Sequence, residues 1–164
     1  MECVLSKNDS VISELVAQFG KEMINFIYRM VKSREDAEDI AQDALTRAYE
    51  SIGKGSTPND MRKWLFTICY NLAMNHITQN ELHTRIIRSL GDAGKIPVGD
   101  KSAEMETLLE KITGTHRAIF ILRFIHGFKY SEIADVVNLP ESTCMVYVNR
   151  ALKTLRENSK ELDK

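Results

Sequence analysis

The chain has 164 residues, of which 43% are hydrophobic and 27% charged, with a net charge of −1. This is enough apolar material for a packed core in one domain or two small ones, and the chain as a whole need not be disordered. A generally basic nucleic-acid binder is not expected either, so any DNA contact must come from local charge placement.

Helical patterning opens the chain. Ile12, Leu15, Val16 and Phe19 follow i, i+3, i+4, i+7 spacing, with Asp9 or Ser10 as N-cap. Met23, Ile24, Ile27, Tyr28 and Val31 continue the stripe beyond Gly20, where a break or bend is expected. A further helix begins near Ser33, whose hydroxyl can cap. Glu35, Asp36 and Glu38 complement the dipole, and Ala37, Ile40, Ala41, Ala44, Leu45 and Ala48 face inward.

The stretch GKGSTPND (53–60) is a loop by composition. The helix after it holds Trp64, Leu65, Ile68, Leu72 and Ile77, with Trp64 expected in the core rather than as a stacking platform. Residues 81–103, rich in glycine and mixed charge, read as a flexible linker with a short helical start around Ile86–Leu90. From Ala103, Met105, Leu108, Leu109 and Ile112 resume the apolar spacing. A break at Thr113–Gly114 precedes a helix that Gly127 closes.

The last segment, YSEIADVVNLPESTCMVYVNRALKTL, reads as helix, tight turn, helix. Asn138 tolerates a left-handed turn, and Pro140 suits a helix start because it has no N–H to leave unpaired. Cys144, Val148, Ala151, Leu152 and Leu155 share one face and should be core. That leaves Ser142, Met145, Val146, Asn149, Arg150 and Lys153 outward. Such a second helix docks its N-terminal half in the major groove. Arg150 and Lys153 can neutralise phosphates, Asn149 can hydrogen-bond a base edge, and Met145 and Val146 can pack on thymine methyls. A helical hairpin without a DNA role is the plainer alternative.

Catalytic chemistry has no foothold: there is no P-loop, no GxGxxG and no carboxylate pair in an evident cleft. The three cysteines form no CxxC pair, and His76, His83, His116 and His126 show no metal-ligand spacing. No cofactor, metal or small-molecule substrate is expected. Without a basic start followed by an apolar run, the expected setting is a reducing cytoplasm with free thiols.

The segments SREDAEDIAQDALTRAYESI and RKWLFTICYNLAMNHI lead to a linker and then to LLEKITGTHRAIFILRFIHGFKYSEIADVVNLPESTCMVYVNRALKTLRE. In this order the chain resembles extracytoplasmic-function (ECF) sigma factors over roughly residues 10–80 and 104–157. The resemblance implies an all-α fold of two small helical domains joined by a flexible linker. Residues 1–80 would be a region 2-like domain, 81–103 the linker, and 104–164 a region 4-like helix-turn-helix domain. It also implies a transcription initiation subunit that binds core RNA polymerase and promoter DNA and is commonly restrained by an anti-sigma factor.

By the same resemblance, Asp36, Asp39, Gln42 and Asp43 dock on polymerase. Arg62, Lys63, Asn71, Asn75 and His76 meet the −10 element, where a melted strand needs base-edge readers and cations along its backbone. Ser142, Thr143, Met145, Val146, Tyr147, Asn149, Arg150 and Lys153 meet the −35 element.

The chain departs from the family pattern in two places. Asn75, Thr78 and Gln79 stand where many members carry an acid followed by arginines, and Met145 and Tyr147, with Val146 between them, stand where recognition helices are usually basic. Fewer phosphate contacts mean weaker intrinsic DNA affinity. Either polymerase supplies most of the binding energy, or the apolar strip is a protein interface. A stand-alone helix-turn-helix regulator and a sigma-like adaptor that binds only protein are the rival readings. The acidic helix 35–50 speaks against the regulator.

Overall fold

A computed structural model describes residues 2–56, 58–88, 109, 112 and 114–162. Among these residues there are six helices and no strand: α1 (Glu2–Val31), α2 (Arg34–Gly53), α3 (Met61–Arg88), α4 (Gly114–Phe124), α5 (Tyr130–Val137) and α6 (Glu141–Leu162). The all-helical expectation holds. Helices α1, α2 and α3 pack on one another, as do α4, α5 and α6.

Two expectations for the N-terminal half do not hold. The first helix runs unbroken through Gly20, and Asp9 and Ser10 lie inside it rather than at its cap. Glycine costs a helix interior about 1 kcal/mol relative to alanine. Here Leu15, Met23, Phe26, Ile27 and Met30, all at most 4% exposed, hold the helix against the core on both sides of Gly20. Packing of that stripe outweighs the local cost. The helix stops at Lys32, which adopts φ 61°.

Ser33 then caps α2, its hydroxyl accepting the Asp36 amide hydrogen at 3.3 Å. The inward face of α2 is as the spacing predicts: Ala37, Ile40, Ala41, Ala44 and Ala48 are buried and Leu45 is partly so. Its small side chains let α1 and α3 approach closely.

The third helix also exceeds its expected length, continuing to Arg88 and therefore into the stretch read as linker. The rest of that stretch, the 103–108 part of the resumed helical pattern, and the polar end of the 53–60 loop at position 57 lie outside the described residues. Trp64 is partly buried against the core, in line with a packing role.

In the C-terminal half the turn chemistry is as read. Gly127 closes α4 at φ 71° and Asn138 closes α5 at φ 55°. The Lys129 amide at the start of α5 donates to the Glu132 carboxylate at 2.8 Å, and the Pro140 carbonyl accepts the first α6 hydrogen bond, from Cys144, at 3.1 Å. Ile133, Val136, Val137, Cys144, Val148 and Ala151 are buried between α4, α5 and α6.

The two groups of helices are not held apart. Their apolar residues form one continuous cluster, in which Phe66 of α3 lies 5.1 Å from Phe128 of the α4–α5 turn, ring centre to ring centre. Arg117 of α4 reinforces the junction. Its Nε donates to the Leu109 and Ile112 carbonyls at 2.8 and 3.0 Å, and its Nη1 reaches the Met30 carbonyl at 3.5 Å. A guanidinium that is only 8% exposed is thus satisfied by main-chain oxygens from both groups.

Candidate polymerase and promoter interfaces

The acidic face belongs to α2. The alanine stripe faces the core, so the opposite side presents Asp39, Gln42 and Asp43, all exposed. Asp36, one turn earlier, differs from them. Its amide is held by Ser33, and its carboxylate lies 3.2 Å from Nε2 of His76. The structure therefore joins one expected polymerase contact to one expected −10 contact. It leaves the other three acidic-face residues open, together as a surface.

The −10 candidates divide along α3. Asn71 and Asn75 are exposed on the same side, four residues apart, while His76 is half-buried against Asp36. His76 Nε2 is also 2.9 Å from the Asn80 amide nitrogen. Arg62 and Lys63, at the other end of α3, are turned toward the helix-turn-helix unit and are not brought together with the asparagines. Arg62 donates from Nε and Nη2 to Oε2 of Glu22 at 3.1 and 2.9 Å, and from Nη2 to the His126 carbonyl at 2.7 Å. Its guanidinium carbon sits 4.2 Å from the Phe128 ring centre. Lys63 Nζ donates to Oδ2 of Asp135 at 2.8 Å, and that hydrogen bond raises its pKa.

On α6 the −35 candidates also divide. Ser142, Met145, Val146, Asn149, Arg150 and Lys153 are exposed, whereas Thr143 and Tyr147 are half-buried. The Tyr147 ring packs 4.0 Å from the His116 ring, centre to centre, so this aromatic is engaged within the protein. The two rings help line a groove of about 410 Å³ between the C-terminal half of α3 and the helix-turn-helix unit, to which Met74, Ile77, Glu81 and Leu139 also contribute. Met145 and Val146 stand out at 41% and 45% exposure.

Glu22, His126, Asp135 and His116 were not visible as functional candidates in the sequence. Each gains its importance from a partner tens of residues away, and no local spacing signals such a pairing. His126 is the clearest case. Its side chain lies among Phe26 and Phe66, 6.0 and 5.2 Å between ring centres. Burial lowers its pKa to about 4, with Arg62 and Arg29 adding to the lowering and Glu22 opposing it. Its Nε2 is buried without a hydrogen-bond partner, as is Nε of Arg29. Cys69 and Cys144 are buried free thiols, and burial pushes Cys69 up to about 12, so neither is suited to nucleophilic chemistry. Among the described residues no group of side chains could hold a metal ion.

An exposed acidic helix face and a helix-turn-helix thus occur together in one all-helical chain. Comparison with known families gives this combination its name. The Sigma-70 region 2 family matches residues 15–82 and the Sigma-70 region 4 family residues 102–155, together most of the chain. The chain belongs to the sigma-70 family of RNA polymerase sigma factors, in its ECF branch.

The RNA polymerase sigma factor YlaC of Bacillus subtilis is 25% identical to it, over 93% of this chain and 94% of that one. The ECF RNA polymerase sigma factor SigW of the same organism is 22% identical over 94% and 92%. Among solved structures, the sigma factor RpoE in complex with the anti-sigma factor NepR from Bartonella quintana matches with a TM-score of 0.74, 20% identity and coverage of 90% and 96%. CnrH in complex with the cytosolic domain of CnrY matches with a TM-score of 0.70, 22% identity and coverage of 99% and 94%. These two likenesses bear out the two-domain helical fold.

Proposed function

We propose that this chain is the promoter-selecting subunit of a bacterial RNA polymerase, acting in the cytoplasm and restrained by an anti-sigma factor. It binds core polymerase through α2, reads the −10 element from α3 and the −35 element from α6. The observation that carries this reading is the pairing, within one family-matched chain, of an open acidic face (Asp39, Gln42, Asp43) with a helix-turn-helix whose outer face is also open. A stand-alone helix-turn-helix regulator would have no use for the first of these.

The work of such a subunit is binding and positioning, and bond-making belongs to the polymerase. Asp39 and Asp43 supply charge complementary to a basic surface, and Gln42 supplies a neutral hydrogen-bonding group between them. Asn71 and Asn75 can each offer an amide donor and acceptor to the edge of an unpaired base. Arg150 and Lys153 supply phosphate contacts, while Met145 and Val146 offer methyl-scale surface suited to thymine.

Run-off transcription with purified core polymerase on fragmented genomic DNA of the host tests this reading. The expected outcome is discrete new transcripts that disappear when Asp39 and Asp43 are both changed to Lys. Core affinity should fall by at least tenfold, because like charges then face the basic surface. Absence of both transcripts and polymerase binding would sink the sigma reading.

A second reading keeps polymerase binding but assigns the outer face of α6 to protein. It is favoured by the exposure of Met145 and Val146 in place of cations and by the inward turn of Tyr147.

A further inference from the structure

Asp36 stands at the edge of the acidic face of α2, on the side nearest α3. Its main chain is fixed, because its amide donates to the Ser33 hydroxyl at 3.3 Å. Its carboxylate is fixed as well, with Oδ2 3.2 Å from Nε2 of His76 on α3. The contact is partly shielded from water, the His76 side chain being 25% exposed and that of Asp36 37%. The same ring nitrogen lies 2.9 Å from Nδ2 of Asn80, one turn further along α3.

One ring nitrogen cannot treat these two neighbours alike. Toward the carboxylate it must donate, and toward an amide N–H it must accept. The carboxylate wins, because a charged acceptor makes the stronger hydrogen bond. Asp36 therefore keeps a proton on Nε2. Asn80 is exposed, so its amide can turn its oxygen to the ring or bond water instead. His76 directly follows Asn75, and Asn71 lies one turn before Asn75 on the same exposed side. The opposite side of that turn is held by buried Leu72 and Ala73. Apolar packing is non-directional and tolerates small rotations of a helix, whereas a hydrogen bond to a charge does not. The Asp36–His76 bond is thus the directional link between α2 and this stretch of α3.

We propose that Asp36 is a positioning residue for promoter melting and not a polymerase contact. Through Nε2 of His76 it sets the orientation in which α3 offers Asn71, Asn75 and the His76 ring to the melted strand. This deepens the −10 assignment made above and rests on it. The polymerase surface is then left to Asp39, Gln42 and Asp43, which are exposed.

The test uses holoenzyme assembled from core polymerase and the full chain, on a promoter recovered by run-off transcription. Fluorescence anisotropy gives the affinity for core, and permanganate reactivity of thymines in the −10 region gives strand opening. Asp36→Ala and His76→Ala should each lower opening about fivefold with core affinity unchanged within about twofold, and the double variant should lose no more than either alone, because the two act through one bond. Asp36→Asn keeps an acceptor oxygen in the same place and should recover part of the loss. A fall in core affinity for Asp36→Ala as large as that for Asp39→Lys assigns Asp36 to polymerase and overturns the proposal. Losses in opening that add in the double variant, or no loss at all, overturn it too. Should the variants lose helical circular dichroism, 15N NMR of the wild-type ring decides. A proton on Nε2 upholds the bond, and a ring protonated on Nδ1 alone overturns it. A wild-type chain that opens no promoter overturns the −10 assignment itself, and the positioning role with it.

Discussion

Nη2 of Arg62 lies 2.7 Å from the main-chain oxygen of His126 and 2.9 Å from Oε2 of Glu22, so one guanidinium ties α1 and α3 to the turn that precedes α5. The Glu22 pair is partly exposed, 29% and 44% for the two side chains, and by itself is worth a fraction of 1 kcal/mol. The bond to the carbonyl and the stacking on Phe128 add more, since both lie at the buried junction. Arg62→Ala should cost about 2 kcal/mol in urea unfolding. Arg62→Lys should recover only part of this, because an ammonium cannot bond both partners in the fork geometry. A loss under 0.5 kcal/mol would show that the junction does not depend on the clasp.

His126 makes stability depend on pH. Its folded-state pKa, about 4, lies below the ordinary histidine value of 6.5 because the ring is buried. The unfolded chain therefore takes up a proton that the folded chain refuses. The contribution is fully present above pH 6.5 and is lost as pH falls toward 4. Allowing for the ring's partial exposure and the resulting screening, the change is about 1 kcal/mol. The difference in urea midpoint between wild type and His126→Phe, followed from pH 7 to 4.5, should shift in favour of the variant. A constant difference across that range would count against a buried neutral ring.

Met145→Ser with Val146→Ser separates the two readings of α6. Both side chains are exposed, so stability should change by no more than about 0.5 kcal/mol. If they read DNA, promoter-dependent transcription should fall about tenfold while anti-sigma binding is retained. The reverse pattern would assign the strip to protein.

Two substitutions test local chemistry. Ser33→Ala removes the acceptor for the Asp36 amide and should cost about 1 kcal/mol. Asn138 occupies the left-handed region at φ 55° and ψ 48°, where a β-branched side chain is strained. Asn138→Val should destabilise by about 1 kcal/mol or more and Asn138→Gly by little or nothing, as thermal unfolding can establish.

Much of this protein was legible in its sequence because the relevant physics is local. The alanine stripe of α2 allows only one face to pack, so Asp39, Gln42 and Asp43 had to point outward. Asn138 and Gly127 marked turns that need positive φ, and the spacing of Cys144, Val148 and Ala151 fixed the core side of α6. Gly20 misled because glycine's propensity cost is local, whereas the packing that overrides it comes from α2 and α3.

Only the tertiary structure decided the partners of Arg62, Lys63, Tyr147 and His126. A cation near the start of a helix looks available for phosphate when read in sequence. Whether it is available depends on which carboxylate or carbonyl, from which distant helix, arrives first, and that is set by how Phe66 and Phe128 bury each other.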